Sequence, residues 1–270
     1  MNVNGLPYPP LTAEMLKFAK QLHDKKFRDA EALFLADGEK LVAEALSSQS
    51  MIEAVIVAQD ASDRALEIAH KCSRQGIEVY QTGAEKFSRL APSQSPQGIM
   101  AIVHTPNDDD LLWDSPCILA LDGISDPGNV GTILRTAEWF GVRHIICGAG
   151  CADPYNPKAV RASMGSIFRC RIRSVQTLSD ELLRYINEHT VRIVGAELLA
   201  DKALRSVSWS ADKQDIIVLG SEAHGISREV QAVLTDRVVI EGVGGAVGAE
   251  SLNVSMSAGI ILYQRFTNQV

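Results

Sequence analysis

The stretch LDGISDPGNVGTILRTAEWFG, residues 121–141, decides how the second half of the chain is read. Together with the preceding CILA (117–120) it gives an apolar run that ends in Asp122-Gly123. A cluster of turn formers follows (Asp126, Pro127, Gly128, Asn129), and helical spacing begins at Val130. A short apolar run bounded by turn residues reads as a buried strand, and a change to a period of about 3.6 residues reads as a helix. Residues 130–140 are therefore expected to be the helix of a strand–loop–helix unit. In open α/β sheets ligands gather at the carboxyl ends of such strands. Arg135 is expected about one turn into this helix, and two readings stand open for it. It is either a fixed charge aimed at a phosphate near the helix N-terminus or a solvated arginine beside a turn.

Strands and helices alternate on both sides of this unit. Downstream, RHIICG (143–148), VRIVGAE (191–197), DIIVLGSE (215–222) and DRVVIEG (236–242) read as strands. Residues 158–166 and 178–188 read as helices, and a last helix over 251–266 starts within SLNVS. Upstream, LTAEMLKFAKQLHDKKF (11–27) has helical spacing with Thr12 as N-cap, and 38–46 and 62–74 are helical. ALFLADG (32–38), EAVIVA (53–58), IEVY (77–80) and GIMAIVH (98–104) read as strands. The pattern predicts two α/β modules. Between them TPNDDDLLWDS (105–115) reads either as a linker or as an acidic surface loop.

Bulk properties exclude some classes. No run of about 18 apolar residues exists, so no membrane span is expected. The start, MNVNGLPYPPLTAEM, lacks a basic region followed by an apolar one, so cytoplasm is the expected compartment. Five scattered cysteines favour reduced thiols over a disulfide framework. Cys147 and Cys151 have a spacing tolerable for zinc but no second pair, so no metal is expected. A net charge of −7 argues mildly against an RNA partner, although a local patch matters more than the sum. The best such patch is KAVRASMGSIFRCRIR (158–173), with Lys158, Arg161, Arg169, Arg171 and Arg173. It reads as a phosphate-contacting surface or as a solvated strand edge. GVGGAVG (242–248) mimics a dinucleotide fingerprint, but the chain ends before the acidic strand such a fold requires. Gly220, at a strand end, would let a ligand approach the backbone. His224, between glycine-flanked turn residues, reads as a hydrogen-bonding turn residue rather than a catalytic one.

Three segments in fixed order carry a resemblance: LDGISDPGNVGTILRTAEWFG (121–141), IIVLGSEAHGIS (216–227) and ESLNVSMSAGIILYQ (250–264). Together they resemble the motifs of the SpoU/TrmH family of RNA ribose 2′-O-methyltransferases, within the SPOUT superfamily. The likeness spans about 120–267 and includes RASMG (161–165), while FLADGEKLVAEAL and QGIMAIV resemble a substrate-binding module. The resemblance implies an α/β fold: a C-terminal SPOUT domain with a parallel sheet and a deep trefoil knot, plus a smaller N-terminal α/β RNA-binding domain. The implied boundaries are 1–107, a linker at 108–115, and 116–270. It implies S-adenosylmethionine as methyl donor, a homodimer, and ribosomal RNA as substrate. A tRNA methyltransferase and a catalytically inactive knotted RNA-binding protein are the alternatives.

By motif position Leu219, Gly220, Ile240 and Leu252 would contact the donor, and Asn129, Arg135, Glu222, Ser251 and Asn253 match polar active-site positions. Lys158, Arg161, Arg169 and Arg171 are the RNA-contact candidates. Arg135 matches an arginine proposed to help activate the 2′-hydroxyl. Because a guanidinium stays protonated below a pKa of about 12, it suits charge stabilisation and phosphate anchoring better than proton removal. Two departures stand out: Ile240-Glu241-Gly242 where the family usually has Ile-Pro-Met, and Ala223 where it usually has glycine.

Overall fold

The computed structural model describes residues 7–91, 93, 95–106, 115–200, 202–210, 213–242 and 251–267. The expected linker up to residue 114 and the glycine-rich loop from 243 lie outside the described residues. The chain forms two compact units, Met1–Pro106 with Tyr155–Phe168, and Asn107–Pro154 with Arg169–Val270.

The first half contributes α1 (Ala13–Gln21), α2 (Lys25–Glu31), β1 (Leu33–Asp37), α3 (Glu39–Ser47), β2 (Ile52–Ala58), α4 (Asp63–Arg74), β3 (Glu78–Thr82), α5 (Ala84–Leu90) and β4 (Ile99–His104). Its four strands pair in the order β1-β4-β2-β3. β4 runs antiparallel to both β1 and β2, and β3 runs parallel to β2. The single helix expected over 11–27 is two helices. Thr12 caps α1 as expected, accepting from Met15 N at 3.1 Å. Asp24 then caps a new helix, accepting from Lys26 N at 3.0 Å. The buried Arg28 guanidinium bonds the Leu22 and His23 carbonyls at 2.9 and 2.8 Å, which satisfies acceptors exposed by the break. α5 was not visible in the sequence, because only Phe87 and Leu90 mark its buried side.

The second half contributes β5 (Cys117–Asp122), α6 (Pro127–Trp139), β6 (His144–Cys147), α7 (Pro157–Ser163), β7 (Arg171–Ser174), α8 (Leu178–Glu188), β8 (Val191–Ala196), β9 (Lys202–Ala203), β10 (Gln214–Gly220), α9 (Arg228–Gln231), β11 (Asp236–Val239) and α10 (Val254–Thr267). Seven strands form one sheet in the order β7-β6-β5-β10-β8-β11-β9, every pair parallel. A parallel sheet covered on both faces needs strands apolar throughout. β5 and β10 meet that need with unbroken buried runs, Cys117–Leu121 and Asp215–Leu219, the latter apolar after its first residue. α7 belongs by its packing to the first unit. It lies on β1, and the Phe34 ring there meets Tyr155 and Phe168 at centroid distances of 5.0 and 6.0 Å. No helix among the described residues is long and apolar enough to cross a membrane.

Helix α6 corrects the sequence expectation. It starts at Pro127, three residues before Val130, with Asp126 accepting from Asn129 N at 3.0 Å. Gly128 and Asn129 had read as turn residues. The Asp-Pro pair outweighs them, because proline's fixed φ suits the first helical position and its missing N–H is one a helix leaves unpaired there. Arg135 therefore sits about two turns into the helix rather than one.

At the amino end of β10 lies a charge cluster with a fully buried centre. Asp215 accepts from Arg192 Nε at 2.7 Å and from Arg265 Nε, with Asp215 and Arg265 both fully buried. Arg265 also donates to the Ser210 and Lys213 carbonyls at 3.1 and 3.2 Å. The Trp209 ring lies 4.7 Å from the Arg192 guanidinium and 5.7 Å from that of Arg265. One carboxylate thus holds β10, β8 and α10 together. Removing it leaves two guanidinium groups without their anion, and breaking a buried pair this way typically costs about 3–5 kcal/mol. Asp215→Ala is predicted to lose that much stability in a urea titration; a loss under about 1 kcal/mol would mean the cluster is peripheral.

Candidate active site

The order of the parallel sheet sets where a ligand can enter. From β5 the sheet extends one way through β6 and β7, and the other way through β10 and β8. In open α/β sheets ligands bind outside the carboxyl ends of the strands where the order reverses. Here those ends are Asp122 and Gly220, which face each other in register. The two loops are stitched across that point. Asp122 Oδ2 accepts from Ser227 N at 2.7 Å.

After Gly220 the chain makes a closed turn. Ser221 and Gly225 exchange backbone hydrogen bonds of 3.1 and 2.8 Å, and Ala223 N donates to Ser221 Oγ at 3.2 Å. This changes the reason for Gly220. A Cβ there would stand 2.3 Å from the Gly225 carbonyl carbon and 2.4 Å from Ile226 N. The space reserved by the glycine is filled by the chain's own turn, not held open for a ligand. Ala223 carries no penalty for replacing glycine, since it lies outside the left-handed region that Gly225 occupies at φ +70°.

Three of the five polar positions expected from sequence converge on this turn. Asn129 Nδ2, in the first turn of α6, donates to Glu222 Oε1. Asn253 Nδ2, just before α10, donates to Asn129 Oδ1 at 3.0 Å. Asn253 Oδ1 accepts from Ser255 N at 2.9 Å and Ser255 Oγ at 2.6 Å. The network joins residues 93 and 124 positions apart and ends on an exposed carboxylate. It is a polar frame beside the strand ends where the sheet order reverses. Arg135 is exposed on α6, and among the described residues it forms no hydrogen bond or ion pair. Ser251 is exposed and outside the bonded trio, as is His224.

The site has counterparts in known proteins. Residues 116–263 match the family model described as the SpoU rRNA Methylase family. The chain belongs to the SpoU rRNA methylase family. Residues 13–101 match a second model, the MRM3-like substrate binding domain. The 23S rRNA (guanosine(2553)-2′-O)-methyltransferase RlmP of Bacillus subtilis is 31% identical over 93% of this chain and 95% of its own length. A solved structure described as a putative RNA methyltransferase of the TrmH family from Porphyromonas gingivalis is 33% identical, with a TM-score of 0.79 over 94% of this chain and 98% of that one. An AdoMet-bound rRNA methyltransferase from Sinorhizobium meliloti is 28% identical, with a TM-score of 0.81 over 95% of each chain.

In this SpoU methylase the remaining expected positions are dispersed. Leu219 is buried within β10, Ile240 is half-buried just past β11, and Leu252 is exposed ahead of α10. The basic stretch divides: Lys158 and Arg161 lie in α7 of the first unit, and Arg169, Arg171 and Arg173 lie in the second. Arg161 has a buried Nη1 without a hydrogen-bond partner, and its charge acts on the Asp37 carboxyl, which burial nevertheless holds above the usual range. Arg169 pairs with Glu138 at 3.1 Å and Arg173 with Glu181 at 3.4 Å. Lys158 and Arg171 are exposed. Ser255 alternates with Leu252, Val254 and Met256 beside Ser251 and Asn253 and reads from sequence as part of a helix cap, without a site role of its own.

Cys151 stands beside the end of β5, its thiol 3.2 Å from the Leu121 carbonyl. Donation from the Cys147 thiol holds the Cys151 pKa below the ordinary cysteine value, against desolvation and with help from the Ile124 and Gly123 backbone. Burial pushes Cys72 up to about 11 and both Cys117 and Cys170 up to about 12. The thiolate is the reactive form. Iodoacetamide at mildly alkaline pH is therefore predicted to label Cys151 before Cys72, Cys117 and Cys170, as read by peptide mass spectrometry. Prior labelling of any of those three would contradict the assignment.

Proposed function

We propose that this protein is an S-adenosylmethionine-dependent methyltransferase acting on a ribose 2′-hydroxyl of ribosomal RNA. The observation that carries the reading is the Asn129–Glu222–Asn253 frame at the sheet's reversal point, in a chain of the SpoU family. Relatives named for 23S rRNA favour ribosomal RNA over tRNA.

The residues at the strand ends fit an adenosyl sulfonium. β10, β8 and β11 are neighbours in the sheet and end side by side. Gly220 ends β10, the largely exposed Leu198 and Leu199 follow β8, and Ile240 follows β11. Apolar side chains beside strand-end backbone groups suit a purine ring, whose faces are apolar and whose edge forms hydrogen bonds. When bound, S-adenosylmethionine supplies an electrophilic methyl group, so the protein's task is alignment.

Arg135 stabilises negative charge growing on the 2′-oxygen and anchors a neighbouring RNA phosphate. Asn129 and Asn253 hold Glu222 and the turn 221–225 in one geometry, and Ser251 borders the ribose. Leu219, Gly220, Ile240 and Leu252 line the donor side. Lys158, Arg161, Arg169 and Arg171 serve as RNA contacts. The same reading includes domains over 1–107 and 116–270 joined by 108–115, the family's trefoil knot, and a cytoplasmic place of work.

We also infer a homodimer. Met256, Ile260 and Tyr263 follow helical i, i+4, i+7 spacing on α10 and are all exposed, and Trp139 at the end of α6 is 82% exposed. α6 and α10 pack on each other, so these side chains belong to one helical layer. An exposed apolar surface of this kind marks an interaction site, and a second copy is the occupant that symmetry favours.

Two outcomes test these readings. Arg135→Ala should keep its circular dichroism spectrum and lose about 10²-fold or more in transfer of labelled methyl from S-adenosylmethionine to ribosomal RNA. Wild-type rates in that variant would remove Arg135 from the site. Met256→Glu combined with Tyr263→Glu should convert a dimer to a monomer by light scattering. A wild-type monomer at micromolar concentration would refute the dimer.

A further inference from the structure

We propose that the arginine pair at the amino end of β10 is a binding site for a small monovalent anion of chloride's size and charge, held by Arg192, Arg265 and Trp209. The Asn129–Glu222–Asn253 frame belongs to the carboxyl end of the same strand, so the anion site stands whether or not the protein transfers methyl groups.

Two guanidinium groups share one carboxylate here. Asp215 gives one oxygen to Arg192 Nε at 2.7 Å and the other to Arg265 Nε. Both oxygens are engaged, and one positive charge is left over. Asp215 and Arg265 are fully buried, and the Arg192 side chain is only 18% exposed. A buried charge is costly unless it is paired and hydrogen-bonded. The surrounding groups do not neutralise it. The carbonyls of Ser208, Ser210 and Lys213 accept from the outer guanidinium nitrogens at 3.0, 3.1 and 3.2 Å, but they are dipoles and not charges. Burial pushes the Cys117 thiol, which feels both Arg265 and Asp215, up to about 12, so it adds no negative charge.

The unused donors point the same way. Arg192 Nη2, Arg265 Nη1 and Trp209 Nε1 are all buried, and none has a hydrogen-bond partner among the described residues. Native proteins leave few buried donors unserved, and an ion or an ordered water is one explanation for each that is. These three belong to one cluster. The guanidinium groups grip the two oxygens of one carboxylate, and their carbons lie 4.7 and 5.7 Å from the centre of the Trp209 ring. The ring faces of Trp209 and Phe266 attract the cations. A ring face cannot serve the indole's own N–H, which lies in the ring plane and only donates.

The chemistry of the donors selects the occupant. Every free group is an N–H, so the ligand must accept from several sides. Water accepts, but it carries no charge and brings protons of its own, while both Asp215 oxygens are already taken. Phosphate and sulfate bring more negative charge than the single surplus positive one. A halide has one charge, no protons and no preferred direction of approach. The partly exposed Arg192 side chain marks the side from which it would enter.

The test uses the full-length protein and halide salts. Crystals are soaked in sodium bromide, and anomalous scattering is measured at the bromine absorption edge. Bromide bonded to Arg192 Nη2, Arg265 Nη1 and Trp209 Nε1 is the expected result. Bromide at surface positions only, or water at this place, overturns the proposal. Urea unfolding is then followed in mixtures of potassium chloride and potassium gluconate at constant ionic strength. A ligand held by the folded state alone raises the folding equilibrium constant in proportion to its concentration above Kd, so each tenfold rise in chloride there should raise that constant about tenfold. Stability indifferent to chloride overturns the proposal even where bromide enters the crystal, because that is binding at crystal concentration only. Arg192→Gln removes the surplus charge and should abolish the chloride dependence; full dependence in that variant places the anion elsewhere and refutes the site. If Arg192→Gln does not fold, Trp209→Phe, which keeps a ring and drops one donor, should weaken chloride binding about tenfold, and unchanged affinity there refutes the site equally.

Discussion

The catalytic unit depends on one buried carboxylate. Asp215 lies at the amino end of β10, the strand that pairs with both β5 and β8. Arg265 of α10 reaches the same carboxylate from the far end of its helix. A helix rises about 1.5 Å per residue, so the anchor at Arg265 and the amide at Asn253 are roughly 18 Å apart on one rigid rod. Fixing the rod's lower end against β10 fixes the height and rotation of its upper end. The upper end presents Asn253 to Asn129 and, through it, to Glu222.

The sheet was legible because its strands are buried on both faces. CILALD and DIIVLG are nearly unbroken apolar runs, and such runs have few alternatives when turn residues bound them. Helix Leu178–Glu188 matched its expected bounds because Leu178, Leu182 and Tyr185 repeat at helical spacing. The failures have local causes. The start of α6 was misread because glycine and asparagine were weighed as turn formers, although an Asp-Pro pair ahead of them is a cap. Residues 11–27 were misread because Asp24 lies within a continuous helical pattern, and only the Arg28 contacts to Leu22 and His23 show how the break is satisfied.

The candidate site was legible only through family resemblance. Asn129, Glu222 and Asn253 are far apart in sequence, and each alone reads as a cap or turn residue. No periodicity links them; the parallel register of Gly220 with Asp122 brings their loops together. Gly220 carries the converse lesson. Its glycine was correctly recognised as a need for space, but the neighbour requiring that space is the chain's own returning turn. A glycine reports that something comes close, not what it is.

The segment Tyr155–Phe168 has a further consequence, which concerns the order of synthesis. It packs with the first unit, where Phe34 on β1 meets Tyr155 and Phe168, yet it lies between β6 and β7 of the second. A ribosome releases a chain from its N-terminus, and domains generally fold as they emerge. The first unit cannot complete its packing when residue 106 appears. It must wait, with one face of β1 uncovered, until the strands that open the catalytic unit have also been made. Maturation of the two units is therefore interleaved in time, although each has its own sheet.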